Sequence, residues 1–408
     1  MLSRRKFLRN LSSLPLVGGL LGSHAASASS TTLTAPLRRD YFKELGIRTF
    51  INAAGTYTSM TGSLMPEEVM ESILYASNEF VTLDELQDKV GERIASMVKC
   101  EAATVTTGAA SAITFGTAGV IAGDNPENVV QIPHLEGTDM KSEVIMQNAH
   151  KIGYAHAIRN TGAHIIYVDT QKELEKAINE KTAMLFFLNA NNQQGEIKHE
   201  AWVETGKKYG IPTFNDCAAD VPPVENLWKY TQMGFDLVCF SGGKGIQGPQ
   251  SAGLLLGRKD LIAAARMHAP PRGNTVGRGM KVNKEEILGM MVALEMYVNK
   301  DHEAEWKMWE QQIAHIADAV KDIEGVTTET FVPDLANHVP TLKVAWDDSK
   351  IQHDNDSLHE AMRSGHPSIE VAGWGSEPQI QITTWMLIPG QERAVANRLR
   401  EVLMEASA

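Results

Sequence analysis

The stretch that decides the fold is Phe240-Ser241-Gly242-Gly243-Lys244-Gly245-Ile246-Gln247-Gly248-Pro249-Gln250. It ends one apolar run, residues 237–240, and leads into another, residues 253–256, and both have the continuous hydrophobicity of buried strands. Glycines on both sides of Lys244 allow a backbone to approach a ligand closely. An amine held at a strand end in a partly dehydrated pocket is a nucleophile at neutral pH. The pattern predicts a nucleophilic lysine, and the alternative is a structural turn with a surface lysine.

A carboxylate ends a neighbouring apolar run. Asp216 lies in Asn215-Asp216-Cys217-Ala218, and the carboxyl ends of strands in a parallel sheet meet at one edge, so we expect Asp216 close to Lys244. Lys244 is followed by Gly245 and not by the Ser or Thr of a Walker loop. A pyridoxal phosphate enzyme needs a lysine that forms a Schiff base with the aldehyde and a carboxylate that keeps the pyridine nitrogen protonated. The alternative for Asp216 is an Asx turn.

A third element of such a site is a phosphate cradle. The stretch Thr106-Thr107-Gly108-Ala109-Ala110-Ser111-Ala112 follows a strand pattern and opens a helix, where free amides and the helix dipole favour an anion. Small residues at a helix start are common, so this signal is weak by itself. Ser241, shortly before Lys244, offers a hydroxyl to the same phosphate.

The rest of the chain alternates short apolar runs with amphipathic ones, which indicates an α/β fold with a mainly parallel sheet. The pattern predicts a large domain over residues 66–299 and a smaller C-terminal α+β domain over 300–408, preceded by an N-terminal arm over 29–65. The predicted strands are 103–106, 144–146, 164–168, 184–188, 211–214, 237–240, 253–256, 341–346, 368–371 and 379–383. The predicted helices are 66–79, 111–122, 171–179, 199–209, 284–299, 302–323 and 391–404.

The N-terminus resembles a twin-arginine export signal over residues 1–28. A basic head, Ser3-Arg4-Arg5-Lys6-Phe7-Leu8-Arg9, precedes a short apolar stretch and the small-x-small site Ala26-Ser27-Ala28. The apolar stretch is too short for a stable membrane-spanning helix. We therefore expect the twin-arginine export machinery as a partner and a periplasmic or extracellular location; the alternative is a disordered basic tail.

Composition excludes several classes of protein. The 408 residues carry a net charge of −12 with no basic stripe after the first residues, which argues against nucleic acid as a partner. The three widely spaced cysteines do not form the pattern of a disulfide framework. His134, Glu136 and Asp139 lack the spacing of a metal-binding motif, so no metal is expected.

With these residues in view, the chain resembles the selenocysteine synthase-like branch of fold-type I pyridoxal phosphate enzymes. It is most similar to the D-glucosaminate-6-phosphate ammonia-lyase-like subfamily, over nearly the whole chain after the signal. The resemblance is carried by four stretches: residues 236–257, Ile51-Asn52-Ala53-Ala54-Gly55-Thr56-Tyr57-Thr58, Asp216-Cys217-Ala218-Ala219-Asp220-Val221-Pro222-Pro223, and Gly277-Arg278-Gly279-Met280-Lys281-Val282-Asn283-Lys284-Glu285-Glu286.

The resemblance implies roles at the cofactor, pyridoxal 5'-phosphate. Lys244 is then the catalytic lysine and Asp216 the partner of the pyridine nitrogen, while Ala218 packs on one ring face. Gly108, Ala109 and Ser241 hold the phosphate. Family members also have an imidazole or aromatic ring on the second face of the cofactor, and His150 in Gln147-Asn148-Ala149-His150 is the candidate; the alternative is a loop histidine with satisfied hydrogen bonds.

The resemblance also concerns the substrate. Arg278 and Lys281 match a basic pair that reaches an anionic group of the substrate, which fixed cations suit; the alternative is a pair of solvated charges. The family implies a homo-oligomer. Gly62-Ser63-Leu64 stands where selenium-transferring relatives have a Gly-Arg pair, and an export signal occupies the N-terminus where they have a tRNA-binding domain. Selenium transfer to seryl-tRNA is therefore not expected, and export argues against a phosphorylated sugar acid.

These observations predict an exported lyase that acts on a small amino-acid-like substrate, either a hydroxy-amino acid or an amino sugar acid. The reaction would be α-proton abstraction and β-elimination with release of ammonia. The same residues serve a racemase or epimerase and an aldolase, and these remain open. A further alternative is a non-catalytic binding protein that keeps the cofactor fold.

Overall fold

The computed structural model describes residues 39–407, and the predicted signal peptide over 1–28 lies outside them. Contacts divide the chain into a unit that ends at Arg48 and a second unit that begins at Thr49. In the first unit, a short helix, α1 (Tyr41–Glu44), is capped by the Asp40 carboxylate, which accepts a hydrogen bond from the Lys43 amide at 3.0 Å. The second unit contains every other element below.

The strands belong to three sheets. In chain order they are β1 (Ile51–Asn52), β2 (Ala102–Thr106), β3 (Glu143–Gln147), β4 (His164–Val168), β5 (Thr182–Leu188), β6 (Thr213–Asp216), β7 (Leu237–Ser241), β8 (Gly253–Gly257), β9 (Val326–Phe331), β10 (Thr341–Trp346), β11 (Ile369–Glu370) and β12 (Gln379–Thr383).

The helices after α1 connect and cover these strands. They are α2 (Glu67–Ser77), α3 (Leu83–Met97), α4 (Gly108–Ala122), α5 (Pro126–Gln131), α6 (His156–Arg159), α7 (Gln171–Ala177), α8 (His199–Tyr209), α9 (Asn226–Met233), α10 (Lys259–Met267), α11 (Lys284–Val298), α12 (His302–Val320), α13 (Asn355–Ser364) and α14 (Gln391–Glu405). Short 3-10 turns lie at Thr58–Met60, Asn148–His150, Gly153–Ala155 and Asn189–Asn191.

The seven-stranded sheet has the order β2-β8-β7-β6-β5-β3-β4. Strand β8 runs antiparallel to both of its neighbours, and the other described pairs of this sheet are parallel. Strand β5 is buried along its whole length because both faces of the sheet are covered by apolar side chains. This arrangement confirms the predicted α/β fold with a mainly parallel sheet, and it brings the carboxyl ends of β5, β6 and β7 to one edge.

Helix α4 positions one end of the site. It is made mostly of small residues and is buried on nearly all sides. A side chain at Gly116 would lie 2.5 Å from the Phe214 ring, and one at Gly119 would lie 2.6 Å from the Ala265 amide. The helix therefore packs directly on the sheet, with its N-terminus at the sheet edge where β6 and β7 end.

The C-terminal region has its own core. Strands β9, β10 and β12 form an antiparallel sheet in the order β12-β10-β9, and α12, α13 and α14 supply apolar side chains against it. Strand β1, from the beginning of the described unit, pairs in parallel with β11 and places Ile51 opposite Ile369. The chain segment after β1 thereby lies beside the C-terminal sheet.

Most predicted elements are present with ends shifted by a few residues. The pattern missed α1, α3, α5, α6, α9, α10, α13, β1 and β9. Strand β9 reads Val-Thr-Thr-Glu-Thr-Phe and its four middle residues are exposed, so it lacks the apolar alternation on which the prediction relied. Within residues 39–407, no helix is long and apolar enough to cross a membrane, and no group of three or more His, Cys, Asp or Glu side chains is placed to hold a metal ion. Cys100, Cys217 and Cys239 are free.

Candidate active site

The loop after β7 carries Lys244 between close backbone contacts. The Gly242 amide donates to the Ala252 carbonyl at 2.8 Å, and the Gln247 amide donates to the Lys244 carbonyl at 3.0 Å. A Cβ on Gly243 would lie 2.4 Å from Gln250 Cα. A Cβ on Gly245 would lie 2.3 Å from the Val221 carbonyl oxygen. These glycines therefore allow close packing of protein backbone, whereas from the sequence we expected them to allow close approach of a ligand. The close contacts hold the loop around Lys244 in place.

The Lys244 side chain lies in a partly dehydrated cavity. Its amine has no hydrogen-bond partner among the described residues, and burial lowers its pKa. The carboxylates of Asp216 and Asp220 oppose this shift because a nearby negative charge favours the ammonium form. The local environment thus brings the amine closer to the neutral form that attacks a carbonyl carbon.

Asp216 ends β6 directly beside β7, where it is the register partner of Cys239. Its side chain is 4% exposed, and burial raises the pKa of its carboxyl group. Oδ1 accepts hydrogen bonds from the Ala218 amide at 3.0 Å and from Cys239 Sγ at 3.5 Å. Oδ2 has no partner within residues 39–407. An unpartnered carboxylate oxygen fits a ligand with a protonated ring nitrogen.

A second buried carboxylate, Asp220, was not singled out from the sequence. It is 2% exposed, and burial raises the pKa of its carboxyl group to about 6. Its Oδ1 accepts from Asn189 Nδ2 at 2.7 Å and from the Ala336 amide at 3.1 Å. Asn189 directly follows β5, so the strand-end rule that selected Asp216 could have selected Asn189 as well.

Asn189 connects Asp220 to a wider buried network. Its Nδ2 also donates to Tyr230 Oη at 2.9 Å, and its Oδ1 lies 2.7 Å from His199 Nε2. Burial lowers the pKa of His199 to about 4, so this ring is neutral at pH 7. The members of this network come from different parts of the chain. Their hydrogen bonds therefore stabilise the edge of the sheet where Lys244 and Asp216 lie.

The predicted phosphate cradle lies at the same edge. Ser241 is the register partner of Gly253, and a Cβ on Gly253 would lie 2.5 Å from the Gly108 carbonyl carbon. The Ser241 amide donates to the Ala218 carbonyl at 3.3 Å. The start of α4 at Gly108 and Ala109 therefore sits close to the ends of β6 and β7. This brings together six of the seven residues expected to hold the cofactor, namely Lys244, Asp216, Ala218, Gly108, Ala109 and Ser241.

The N-terminus of α4 is open for an anion. Its N-cap residue, Thr107, makes no side-chain cap hydrogen bond. Instead Thr107 Oγ1 donates to the Met280 carbonyl at 2.8 Å. Uncapped amides at a helix start are a ready site for a phosphate group.

His150 differs from expectation. The ring is 0% exposed and packs edge-on against Phe187, with centroids 4.4 Å apart. Nδ1 accepts from the Leu188 amide at 3.2 Å, and Nε2 lies 3.3 Å from Gln147 Nε2. In this conformation the ring offers no surface to a ligand, which corrects the expectation that it covers the cofactor. The aromatic residues among the described lining of the Lys244 cavity are Tyr57, Tyr154 and Trp385.

The cavity that contains Lys244 has a volume of about 260 Å³. One part of its lining is the segment 54–58 after β1, and another comes from the C-terminal region, including Asn337, Gln381 and Trp385. Among the described residues that line it, Lys244 is the sole lysine or arginine. A small molecule that enters this cavity therefore meets the lysine amine on one side and neutral polar groups on the other.

Arg278 and Lys281 lie elsewhere in the chain. Both are exposed and line a separate depression of about 360 Å³ with Pro270, Pro271 and Val81. Arg278 Nη1 contacts the Pro271 carbonyl at 3.5 Å. Within a single chain the structure does not bring this pair to Lys244, although their loop touches the start of α4 through Met280.

A mainly parallel sheet, a dehydrated lysine after β7, a carboxylate at the end of β6 and an open helix start at one edge define the fold-type I class of pyridoxal phosphate-dependent enzymes, and this chain is one. The chain belongs to the family described as SelA, L-seryl-tRNA selenium transferase, whose model matches residues 50–330. The cofactor fits the residues present because Lys244 and Asp216 Oδ2 lack protein partners and the cradle at Gly108 is uncapped.

Individual relatives are similar over almost their full length. The chain is 28% identical to D-glucosaminate-6-phosphate ammonia lyase from Salmonella typhimurium, covering 90% of this chain and 98% of the relative. It is 25% identical to the 5'-C-glycyluridine monooxygenase-decarboxylase of a Streptomyces species, covering 89% and 92%. A solved structure of D-glucosaminate-6-phosphate ammonia-lyase superposes with a TM-score of 0.79 at 26% identity, covering 90% and 99%.

Proposed function

We propose that this chain is an exported ammonia-lyase that acts on a hydroxy-amino acid or an amino sugar acid. The observation that carries the proposal is the unpartnered Lys244 amine, which faces a cavity of small-molecule size beside two buried carboxylates. The similarity to an ammonia lyase over nearly its whole length supports this choice of reaction over the alternatives.

Each residue has a defined task in the proposed reaction. When bound, pyridoxal phosphate supplies an aldehyde that condenses with amines and a ring that withdraws electrons from the α-carbon. Lys244 holds the cofactor between turnovers and then takes the α-proton at its Nζ. Asp216 orients the ring by accepting a hydrogen bond from its nitrogen through Oδ2, and it keeps that nitrogen protonated.

Burial controls the proton at Lys244. Burial in the cavity lowers the pKa of the amine, which favours its neutral, basic form, while Asp216 and Asp220 stabilise the ammonium that forms after proton transfer. The same lysine can then return its proton during product release. Loss of a β-hydroxyl followed by ammonia release gives the lyase, and proton return to the opposite face gives a racemase.

Arg278 and Lys281 enter the proposal through assembly. We propose a homo-oligomer in which this pair reaches the site of another copy. Support comes from exposed apolar side chains on α2 and on the segments that flank it, namely Leu64, Met70, Leu74, Tyr75 and Phe80, the last being fully exposed in the single chain. Cell fractionation for the export proposal and light scattering for the oligomer are independent checks.

The experiment that tests the function begins with the absorbance spectrum of purified protein before and after borohydride. Peptide mapping then locates the reduced adduct, which we expect on Lys244. Hydroxy-amino acids and amino sugar acids are screened for release of ammonia and a keto acid. Inversion of stereochemistry without ammonia would replace the lyase with a racemase, and release of an aldehyde would replace it with an aldolase. No chromophore after incubation with pyridoxal phosphate would favour a binding protein.

A further inference from the structure

One segment of the C-terminal region reaches the edge of the large sheet. It covers residues 333–338, between β9 and β10, and is called the wall segment below. The strands on either side of it belong to the C-terminal sheet, whereas the turn that it contacts, residues 219–220, follows β6 of the large sheet. Three of its residues line the cavity that contains Lys244, namely Pro333, Ala336 and Asn337.

The wall segment contains two consecutive residues in the left-handed region of backbone conformation. Ala336 has a φ of +52° and Asn337 has a φ of +49°. Asparagine tolerates this region, but the Cβ of alanine is crowded by the backbone there. Such a conformation persists only where surrounding contacts hold it, so the wall segment needs partners outside itself.

Those partners are the two residues of the turn after β6. The Ala336 amide donates to Asp220 Oδ1 at 3.1 Å, and the Asn337 amide donates to the Ala219 carbonyl at 2.8 Å. The two hydrogen bonds therefore act on the two residues whose backbone conformation is unfavourable. The first bond ends on a side chain and can be removed by substitution, whereas the second joins two backbones.

Asp220 is held in position from the side of the large sheet. It is 2% exposed, and its Oδ1 also accepts from Asn189 Nδ2 at 2.7 Å. Asn189 directly follows β5 and is bonded in turn to Tyr230 and His199. The large sheet therefore sets the position of the Asp220 oxygen, and the wall segment takes the conformation that reaches it.

We propose that Asp220 is a positioning residue that holds the wall segment in its left-handed conformation and thereby completes the substrate cavity. It acts on the substrate through Ala336 and Asn337, which line that cavity. This task is separate from the effect of the Asp220 charge on Lys244. The proposal rests on the proposed function, because it concerns the substrate of the same site.

Hydrogen exchange of the pyridoxal phosphate-loaded protein, measured by mass spectrometry on peptides that contain residues 333–338, tests the contact without turnover. Asp220→Ala removes the acceptor, and exchange in the wall segment should become about tenfold faster, the effect of one hydrogen bond on a local opening equilibrium. Asp220→Asn keeps one acceptor oxygen and should exchange as the wild type does. Both variants lack the charge, so a difference between them reports the acceptor and not the charge.

A second substitution separates this contact from a general loosening of the sheet edge. Ala336→Gly removes the crowding of the left-handed conformation, so in the Asp220→Ala background it should slow exchange in the wall segment by about fivefold. Lys99→Gly is the matched control, because Lys99 also has a positive φ, +55°, but lies in the turn between α3 and β2. In the same background it should leave the exchange of the wall segment unchanged.

A third variant approaches the contact from the wall segment and keeps the proposal testable if Asp220→Ala does not fold. Ala336→Val leaves Asp220 and its hydrogen bonds to the large sheet intact, and the position is only partly buried. A β-branched side chain is still less compatible with a positive φ than alanine, so exchange in the wall segment should become faster. Unchanged exchange in Ala336→Val would overturn the proposal.

The effect on the cavity is measured with aminooxyacetate, which reacts with the bound cofactor whether or not the enzyme is a lyase. Absorbance follows this reaction, and its dependence on concentration gives a half-saturating concentration and a limiting rate. The half-saturating concentration should be about threefold higher in Asp220→Ala than in Asp220→Asn, because only molecules with the wall segment in place bind the probe well. Ala336→Gly should lower it again in the Asp220→Ala background.

The outcomes separate this proposal from the proposed function. Equal exchange in Asp220→Ala and Asp220→Asn, equal half-saturating concentrations in these two variants, or rescue by Lys99→Gly as large as that by Ala336→Gly would each overturn the role of Asp220. Faster exchange in Asp220→Ala that Ala336→Gly reverses, with no ammonia released from any amino acid screened, would overturn the lyase and leave the role of Asp220 standing.

Discussion

The two walls of the Lys244 cavity differ in charge and in origin. The wall at the sheet edge holds the Lys244 amine, and two buried carboxylates near it act on its charge: Asp216, which ends β6, and Asp220, which follows shortly after. The opposite wall comes from the segment after β1 and from β12 and its neighbours, and its described side chains are neutral. The first wall carries the groups that the proposed reaction needs to move protons, whereas the second offers neutral hydrogen-bonding groups to the rest of a substrate.

This difference teaches where changes in chemistry and changes in specificity should occur. Variants at the sheet edge should lower turnover of every substrate, because they alter the reacting groups. Variants at the neutral wall should change the ranking of substrates and leave cofactor attachment intact. The predictions below test this division, beginning with the largest expected effect.

Removal of the amine should have the greatest consequence. Lys244→Ala should lower turnover by about 1,000-fold, because the variant lacks both the attachment point and the proton carrier. The borohydride-reducible adduct should disappear with it. Lys307→Ala, at an exposed lysine on α12, is the control and should behave as the wild type. A covalent adduct that persists at the native level in Lys244→Ala would remove Lys244 from the site.

Loss of the buried charge at Asp216 should come next. Asp216→Asn keeps the shape of the side chain and the Ala218 hydrogen bond but cannot hold a ring nitrogen in its protonated form. Turnover should fall on the order of 100-fold while the cofactor stays attached, as removal of a preorganised charge typically produces. Single-turnover kinetics together with the bound-cofactor spectrum measure this, and equal turnover in variant and wild type would contradict the assigned role.

The variant Arg278→Ala tests whether Arg278 of one copy reaches the substrate site of another copy. We expect an increase of about tenfold in KM with cofactor binding retained, the size expected for one charge-assisted hydrogen bond. Steady-state kinetics on a carboxylate substrate, paired with the cofactor spectrum, provide the measurement. If KM stays constant, Arg278 does not belong to the substrate site.

The last prediction concerns stability and pH at Asp220 and leaves the ranking by turnover aside. Its folded pKa of about 6 lies above the ordinary value of 3.8, so the folded state holds a proton that the unfolded state has released between these pH values. The stability contributed by this group is present at low pH and is lost as the pH rises through 6. Asp220→Asn should remove this dependence and shift the variant's unfolding free energy, relative to the wild type's, by up to about 3 kcal/mol between pH 4 and pH 7.5.

Chemical denaturation of both proteins at the two pH values measures this difference. Asn at this position can still accept from Asn189 and from the Ala336 amide through one oxygen. If the unfolding free energy changes by the same amount between the two pH values in Asp220→Asn and in the wild type, Asp220 is not the titrating group.

The sheet-edge wall could be predicted in good part from the sequence. Lys244 and Asp216 follow continuous apolar runs, and the rule that parallel strands end at one edge was enough to bring them together. Asp220 was missed because its importance depends on Asn189, Tyr230 and His199, which meet it only in the folded chain. The burial of His150 depends in the same way on Phe187, and no local pattern reports that contact.

The neutral wall could not be predicted. Gly55 and Trp385 are far apart in sequence, and neither belongs to a periodic pattern that would pair them. The hydrogen bond from the Thr383 amide to the Ala53 carbonyl and the parallel pairing of β1 with β11 help to bring them together in the folded chain. Specificity therefore rests on long-range contacts, and the local rules that locate strands and helices do not report such contacts.

The pairing of Ile51 with Ile369 has a consequence for synthesis on the ribosome. A growing chain that ends before β11 already contains Lys244, Asp216 and every strand of the large sheet, yet it lacks the part of the second wall that Ala372, Gln381, Thr383 and Trp385 supply. The reactive lysine thus exists before the selective wall that encloses it. The cavity is complete only after the last part of the chain has been made. An intact C-terminal region is therefore required before the cavity can select among substrates.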